Sequence, residues 1–285
     1  MTLRKVILHI PTFKALPCCP VSQNDLMLHY QTYLHSNEGT PWLIFIHGAG
    51  GAIATWRYQT EAFKPFFNLL LLDLRDHGLS KNVSPEFSSY DFDIVCNDIL
   101  EVIDHLKIER SHFISLSLGS AILQRLDHLR PDLIDKMVMA GGIFRATLKM
   151  RALVHASKLL NWLLPYRYIY ALFSIIILPK KNHEKSRRLY RQQAKRLTQE
   201  EYMKWVGLYG EFFQVLDEYF HRKLKKWSLV VMGAEDHVFF KAARRFVAQQ
   251  EKASLVVIEK CGHICNIEQW QRFNVEALRF LGVAV

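Results

Sequence analysis

Cysteine is scarce and unpatterned in this chain. Five cysteines are an odd number, two of them are the neighbours Cys18 and Cys19, and no spacing repeats. That argues against a disulfide framework and against a Cys/His zinc site, and makes reduced thiols in a cytoplasmic setting the expectation. Long apolar runs are missing too. The richest stretch, Leu159 to Leu178, is broken by Pro165 and Arg167 into an uninterrupted run of eleven residues, against roughly twenty needed to cross a bilayer. Near the N-terminus, the apolar residues Val6 to Ile10 enclose His9 and stop at Pro11 and Lys14, well short of a signal-peptide core, and Pro17 before Cys18 spoils a lipoprotein-type cleavage site. No G-x-x-x-x-G-K-[ST] and no G-x-G-x-x-G occurs, so nucleotide binding has no motif to rest on. Internal repeats and low-complexity linkers are also absent.

What is present is a foldable mixture. Half of the 285 residues are apolar and 22% are charged, enough to bury a core and too varied for a fibrous or disordered chain. The length suits one large α/β domain or a core with an insertion. The net charge of +10 is uneven: between Arg145 and Ser228 lie 18 basic and 6 acidic residues, a local +12 against −2 for the remainder. Attraction to anionic lipid or nucleic acid would act through that segment, although a solvated helical face is the simpler account.

Strand and helix patterns alternate along the first half. Leu26 to Leu34 reads as a strand, and Trp42 to Gly48 is an apolar run ended by a His-Gly turn, as a strand buried on both faces should be. Asn68 to Gly78 repeats that design. Tyr90 to Leu106 carries apolar residues at helical spacing. Phe113 to Leu116 is a strand, Gly119 to Leu129 a helix closed by Pro131, and Met137 to Gly142 a further strand. Helical patterns dominate from Phe144 to Trp227. Alternation resumes with a strand at Ser228 to Gly233, a helix through Ala242 to Gln250, a strand from Ser254 toward His263 and a final helix, Ile267 to Leu281. Such βα units predict a mostly parallel sheet flanked by helices. Residues 1–143 and 228–285 would form that core, with 144–227 as a helical insertion.

Chemistry-bearing residues sit at the ends of these strands. Ser115-Leu116-Ser117-Leu118-Gly119-Ser120 lies between strand and helix, where a sharp turn can lift the Ser117 hydroxyl above the sheet. A serine there can equally serve as a helix N-cap. A serine nucleophile needs a base to accept its proton and a carboxylate to orient that base. Gly233-Ala234-Glu235-Asp236 follows one strand and Lys260-Cys261-Gly262-His263 ends the next, so Asp236, with Glu235 as alternative, and His263 can supply both. A fourth element, His47-Gly48-Ala49-Gly50-Gly51, follows a buried strand and offers close backbone amides to a developing oxyanion. The amides of Leu118 and Ala49 are the leading candidates, with Gly50 second.

On these motifs, with DLRDHGLS at 73–80, the chain resembles the α/β-hydrolase superfamily over about Asn24 to Leu281, and within it the capped esterases and C-C hydrolases. The order Ser, Asp, His is that family's order. The resemblance implies the α/β-hydrolase fold, a helical cap entering after the sixth strand, the triad Ser117, Asp236 and His263, an oxyanion hole at Ala49 and Leu118, and no metal or organic cofactor. Serine rather than aspartate at the elbow argues against dehalogenase and epoxide hydrolase chemistry. Asp76 stands where the family's turn usually has glycine, and S-x-S-x-G replaces the usual glycine at 115.

The segment 144–227 would then roof the site. Tyr202, Trp205, Val206, Tyr209, Phe212, Phe213, Leu216 and Phe220 recur at helical spacing, either as packing between cap and core or as the lining of an acyl or aromatic pocket. Gly50, Trp205 and Tyr209 are the candidates to touch substrate. An apolar roof favours a lipophilic small-molecule ester. Lys180, Lys181, Lys185, Arg187, Arg188, Arg191, Lys195 and Arg196 could set the roof against anionic membrane; nucleic acid lacks a recognised motif. The expectation is a serine esterase working through an acyl-enzyme. One rival keeps the triad for C-C cleavage or pyruvate elimination, with Arg145 or Arg167 meeting a substrate carboxylate. Another is a binding protein that retains the fold without turnover.

Overall fold

The structure, a computed structural model, describes residues 27–285. The expectations placed on residues 1–26, including Cys18, Cys19 and a strand start at Leu26, lie outside the described residues. Seven strands form one sheet: β1 (Tyr30–Tyr33), β2 (Trp42–Ile46), β3 (Asn68–Leu72), β4 (Ser111–Leu116), β5 (Ile134–Ala140), β6 (Trp227–Gly233) and β7 (Ala253–Ile258). Their order is β1-β3-β2-β4-β5-β6-β7. Only β1 runs antiparallel; the other pairs are parallel. The central strands read as continuous apolar runs because both faces are covered, with Ile44 and Ile46 on one side and Leu43 and Phe45 on the other. The amphipathic helices α1 (Arg57–Phe63), α2 (Phe92–His105) and α3 (Gly119–Leu129) connect the first strands.

This strand order decides where a site can form. From β2 the chain moves to β3 on one side, then returns to place β4 on the other side of β2. Loops leaving β2 and β4 therefore diverge and open a crevice at the carboxyl ends of those strands, the usual place for a ligand in a parallel sheet. Residues 47–51 and Ser117 are on those two loops.

Between β5 and β6 the chain leaves the sheet and forms α4 (Leu148–Leu163), α5 (Tyr166–Ile177), α6 (Glu184–Ala194), α7 (Gln199–Gly207) and α8 (Tyr209–His221). The insertion thus follows the fifth described strand, where the resemblance put it after a sixth. Thr147 caps α4 by accepting from the Met150 amide, and Thr198 with Glu201 forms a reciprocal box at the start of α7. After β6, α9 (Phe240–Ala248) leads to β7, and the final helical stretch is split at Gln269 into α10 (Cys265–Glu268) and α11 (Trp270–Leu281). Among the described residues, no helix is long and apolar enough to cross a membrane.

Candidate active site

Ser117 has a φ of 54°, a left-handed conformation that costs a non-glycine residue energy and marks a tight turn. Its amide donates to the Ala140 carbonyl at 2.9 Å, tying the turn to β5. Helix α3 begins two residues later and crosses so close to β2 that a Cβ on Gly119 would lie 2.7 Å from the Ile46 carbonyl oxygen. Any side chain there would push the helix, and with it the turn, off the sheet. The small neighbour on the other side, Ser115, is fully buried, so serine fits where glycine was usual.

Two loops bring the partners. Asp236 and His263 follow β6 and β7, and those loops touch: a Cβ on Gly233 would come within 2.1 Å of the Gly262 carbonyl oxygen. His263 Nε2 lies 2.8 Å from Ser117 Oγ, and its Nδ1 lies 2.7 Å from Asp236 Oδ2. Asp236 is fully buried, and its other oxygen accepts from the amides of Phe239 at 3.0 Å and Val238 at 3.3 Å. The sequence left Glu235 open as the orienting carboxylate, but it turns the other way. Its oxygens meet Asn182, Lys180 and His183, each at 2.9 Å, and these partners hold its carboxyl down to about 2.

This second cluster braces the first. His183, fully buried between Glu235 at 2.9 Å and Glu268 at 3.6 Å, comes from the insertion. Glu268 in turn accepts from the amides on both sides of His263, Gly262 at 2.7 Å and Ile264 at 3.2 Å. The insertion therefore clamps the two loops that carry Asp236 and His263. Sequence reasoning missed His183 because its partners are 52 and 85 positions away in the chain.

The loop after β2 is fixed by two histidines. His47 Nε2 accepts from the Leu74 amide at 3.0 Å, so its proton sits on Nδ1 and faces the Gly48 carbonyl at 2.8 Å. His77 Nε2 likewise accepts from the Gly50 amide at 3.0 Å, and its Nδ1 faces the Arg75 carbonyl at 2.9 Å. Gly50 is thereby engaged, whereas the amides of Ala49 and Leu118 meet no acceptor among the described residues. Leu118 also caps the N-terminus of α3, where the helix dipole favours negative charge. Asp76 occupies the αL position, φ 64°, that explains the usual glycine, and compensates by accepting from the Tyr90 hydroxyl at 2.7 Å.

Burial lowers His47, and burial with repulsion from His47 lowers His77 to about 3 from 6.5. Both are neutral in the folded chain, while the unfolded chain takes up protons near 6.5. The contribution of both is therefore complete above that pH and is lost as pH falls below it, for His77 down to about 3 and at up to about 1.4 kcal/mol per pH unit. The urea midpoint should fall between pH 7.5 and 5.5, and His77→Gln, which cannot titrate, should show a shallower fall. An unchanged slope in that variant would contradict the assignment.

Above Ser117 lies a cavity of about 730 Å³ whose walls are mostly apolar, drawn from Ile143, Phe173, Ile177, Phe212, Phe239 and Ile267 among others. Tyr209 and Gly50, two of the three candidates to touch substrate, line it. Trp205 does not. A buried indole N–H needs an acceptor, and Trp205 finds the Arg75 carbonyl at 3.2 Å while packing edge-on against His77 and Tyr90. Tyr202, from the same helix, lines the cavity instead. Of the basic residues expected to face a membrane, Lys180 pairs with Glu235, Arg187 with Glu184, and Arg191 Nε donates to Ser174 Oγ at 2.7 Å. No group of three or more metal-ligating side chains is found among the described residues.

A model of the alpha/beta hydrolase family matches residues 43–277. The chain belongs to that family and has its fold. Among its relatives, 3-oxoadipate enol-lactonase 2 from Acinetobacter baylyi is 26% identical over 277 residues, covering 90% of this chain and 95% of that protein. Epoxide hydrolase 3 of Mus musculus is 28% identical over 163 residues, covering 57% of this chain and only 42% of the mouse protein. The chain likewise spans about two fifths of several other curated relatives. A solved hydrolase from Pseudomonas aeruginosa PA01 superposes with a TM-score of 0.72 at 25% identity, covering 90% of this chain and 94% of that one. A meta-cleavage product hydrolase from Pseudomonas fluorescens IP01 shares the fold, with a TM-score of 0.70 at 22% identity, covering 89% and 93%.

Proposed function

We propose that this protein is a serine hydrolase that cleaves a carboxylic ester with a lipophilic acyl or aromatic portion. The observation that carries the reading is the unbroken relay from Asp236 through His263 to Ser117, opening into an apolar cavity. Ser117 Oγ attacks the carbonyl carbon as its proton passes to His263 Nε2, and the carbonyl π electrons move onto oxygen. The amides of Ala49 and Leu118 receive that oxyanion, each worth about 3 kcal/mol where such donors have been removed. Collapse expels the alcohol, which takes the proton from His263 and leaves the acyl group on Ser117. Water then gives a proton to His263 and attacks the acyl carbon, and the acid departs as Ser117 recovers its proton. Asp236 holds the imidazole in the tautomer that makes both transfers possible. The insertion serves as the cap, supported by Tyr209 and Phe212 in the cavity wall.

An ester is favoured over a carbon-carbon bond that needs a carboxylate held beside it, because among the described residues no arginine lines the cavity that holds Ser117: Arg167 is exposed, and Arg145 belongs to a separate, neighbouring depression. A lactone is an internal ester, so the name of the enol-lactonase relative is in keeping with this chemistry. Epoxide hydrolysis through a carboxylate nucleophile has no aspartate at position 117 to use. A serine-directed fluorophosphonate should label the native protein at Ser117 and fail to label Ser117→Ala. Absence of labelling in the folded native protein would overturn the proposal and leave a binding role. A p-nitrophenyl ester series should then show rates rising with acyl length until the cavity is filled.

A further inference from the structure

Beside the catalytic cavity lies a second depression of about 600 Å³ with a different chemistry. Arg145, Arg151, Lys241, Arg245 and His221 line it, with Asp217 as its one carboxylate. Asp217 is committed to Arg151. Arg145, Lys241 and Arg245 have no carboxylate within ion-pair distance among the described residues. They arrive from two places, the segment after β5 for Arg145 and α9 for Lys241 and Arg245, with α4 and α8 closing the far side through Arg151 and Asp217. Lys241 and Arg245 are four residues apart and so share one helix face, a like-charge spacing that destabilises a helix. Packing on an aromatic ring orients two of the guanidinium groups, Arg145 over Phe220 at 5.0 Å and Arg151 over Phe213 at 5.1 Å.

The two spaces adjoin: Thr147, Leu148, Lys241 and Ala242 line both. A molecule whose hydrocarbon fills the apolar cavity would reach the basic depression past these residues. Unpaired cations facing a concave surface concentrate positive potential there, and guanidinium groups match the paired oxygens of phosphate and carboxylate.

We infer that this depression is a subsite for the anionic group, phosphate or carboxylate, of an amphiphilic substrate whose apolar portion occupies the catalytic cavity. This rests on the ester hydrolase reading for its substrate but not for its test, which measures binding.

Titration calorimetry with octyl phosphate, octanol and inorganic phosphate separates the contributions. Octyl phosphate should bind the native protein roughly tenfold or more tightly than octanol, the gain of one or two charge-assisted hydrogen bonds, and this advantage should shrink as salt is raised. The double variant Arg145→Gln with Arg245→Gln should reduce octyl phosphate to the affinity of octanol, whereas Arg145→Lys with Arg245→Lys should keep most of the gain. Fluorophosphonate labelling of Ser117 should be unchanged in both, since neither arginine touches the relay. Equal affinity for octyl phosphate and octanol, or full retention of the phosphate advantage in the glutamine variant, would overturn the inference. Inorganic phosphate binding as tightly as octyl phosphate would also overturn it, by showing a site for a free anion rather than for the head of an amphiphile. If the protein bound octyl phosphate as expected yet failed to label, the subsite would stand and the hydrolase reading would fall.

Discussion

Asp236→Asn is expected to lower kcat for ester hydrolysis by roughly four orders of magnitude, the scale found when a buried triad aspartate is made neutral elsewhere, with the fold retained. The direction follows from the hydrogen bonds around the carboxylate. One oxygen of Asp236 accepts from two backbone amides, Val238 and Phe239, and the other faces His263 Nδ1 at 2.7 Å. An asparagine in the same place must keep its carbonyl oxygen toward the amides, because its NH2 cannot accept from them. The NH2 is thereby turned to His263 and donates to Nδ1. The ring proton then moves to Nε2, and Nε2 no longer accepts the proton of Ser117 Oγ. Turnover of p-nitrophenyl butyrate and the rate of fluorophosphonate labelling should fall together, with the thermal midpoint nearly unchanged. A loss smaller than about a hundredfold would mean that Asp236 does not set the tautomer.

Chain order and strand ends make the three relay positions legible in the sequence, because a parallel sheet delivers its strand termini to one edge. Helix α3 runs from Gly119 to Leu129 as its sequence suggested, since Leu118-Gly119 opens it and Pro131 closes it. The last helix was less legible: no glycine or proline marks the break at Gln269, which arises where Glu268 is pulled back to hold the amides beside His263. Periodicity placed Trp205 and Tyr209 on apolar faces without saying which neighbour each would meet, and the indole N–H settled it for Trp205 by seeking a carbonyl. Distant pairings such as His183 with Glu235, or Gly50 with His77, leave no local pattern at all. Charge density does point at the insertion, but the depression joins Arg145 and Arg151 of the insertion to Lys241 and Arg245 of α9 and becomes visible only in the folded chain.

Arg75→Met should destabilise the fold by about 3–5 kcal/mol, the cost of breaking one partner out of a buried ion pair. Arg75 is 2% exposed. Its Nε donates to Asp98 Oδ2 at 2.8 Å, a second nitrogen pairs with Asp98 Oδ1, and a third donates to the carbonyls of Val83 at 2.7 Å and Pro85 at 2.9 Å. Methionine fills similar volume but leaves all four acceptors unmet. Burial already raises Asp98 above its ordinary carboxylate range, outweighing the pull of Arg75. With the guanidinium gone, burial acts alone, and Asp98 in the folded variant binds its proton at a pH where the unfolded chain has released it. The variant's deficit against the native protein should therefore be largest near neutral pH and shrink as pH is lowered, because protonation removes the unpaired charge. Adding Asp98→Leu should recover much of the loss, since two apolar side chains no longer leave a buried anion. Urea unfolding of the two single variants and the double variant closes the cycle. Equal, additive losses from the two single changes would show that the pair is not coupled, and that the turn from Asp73 to Ser80 is held by its backbone contacts alone.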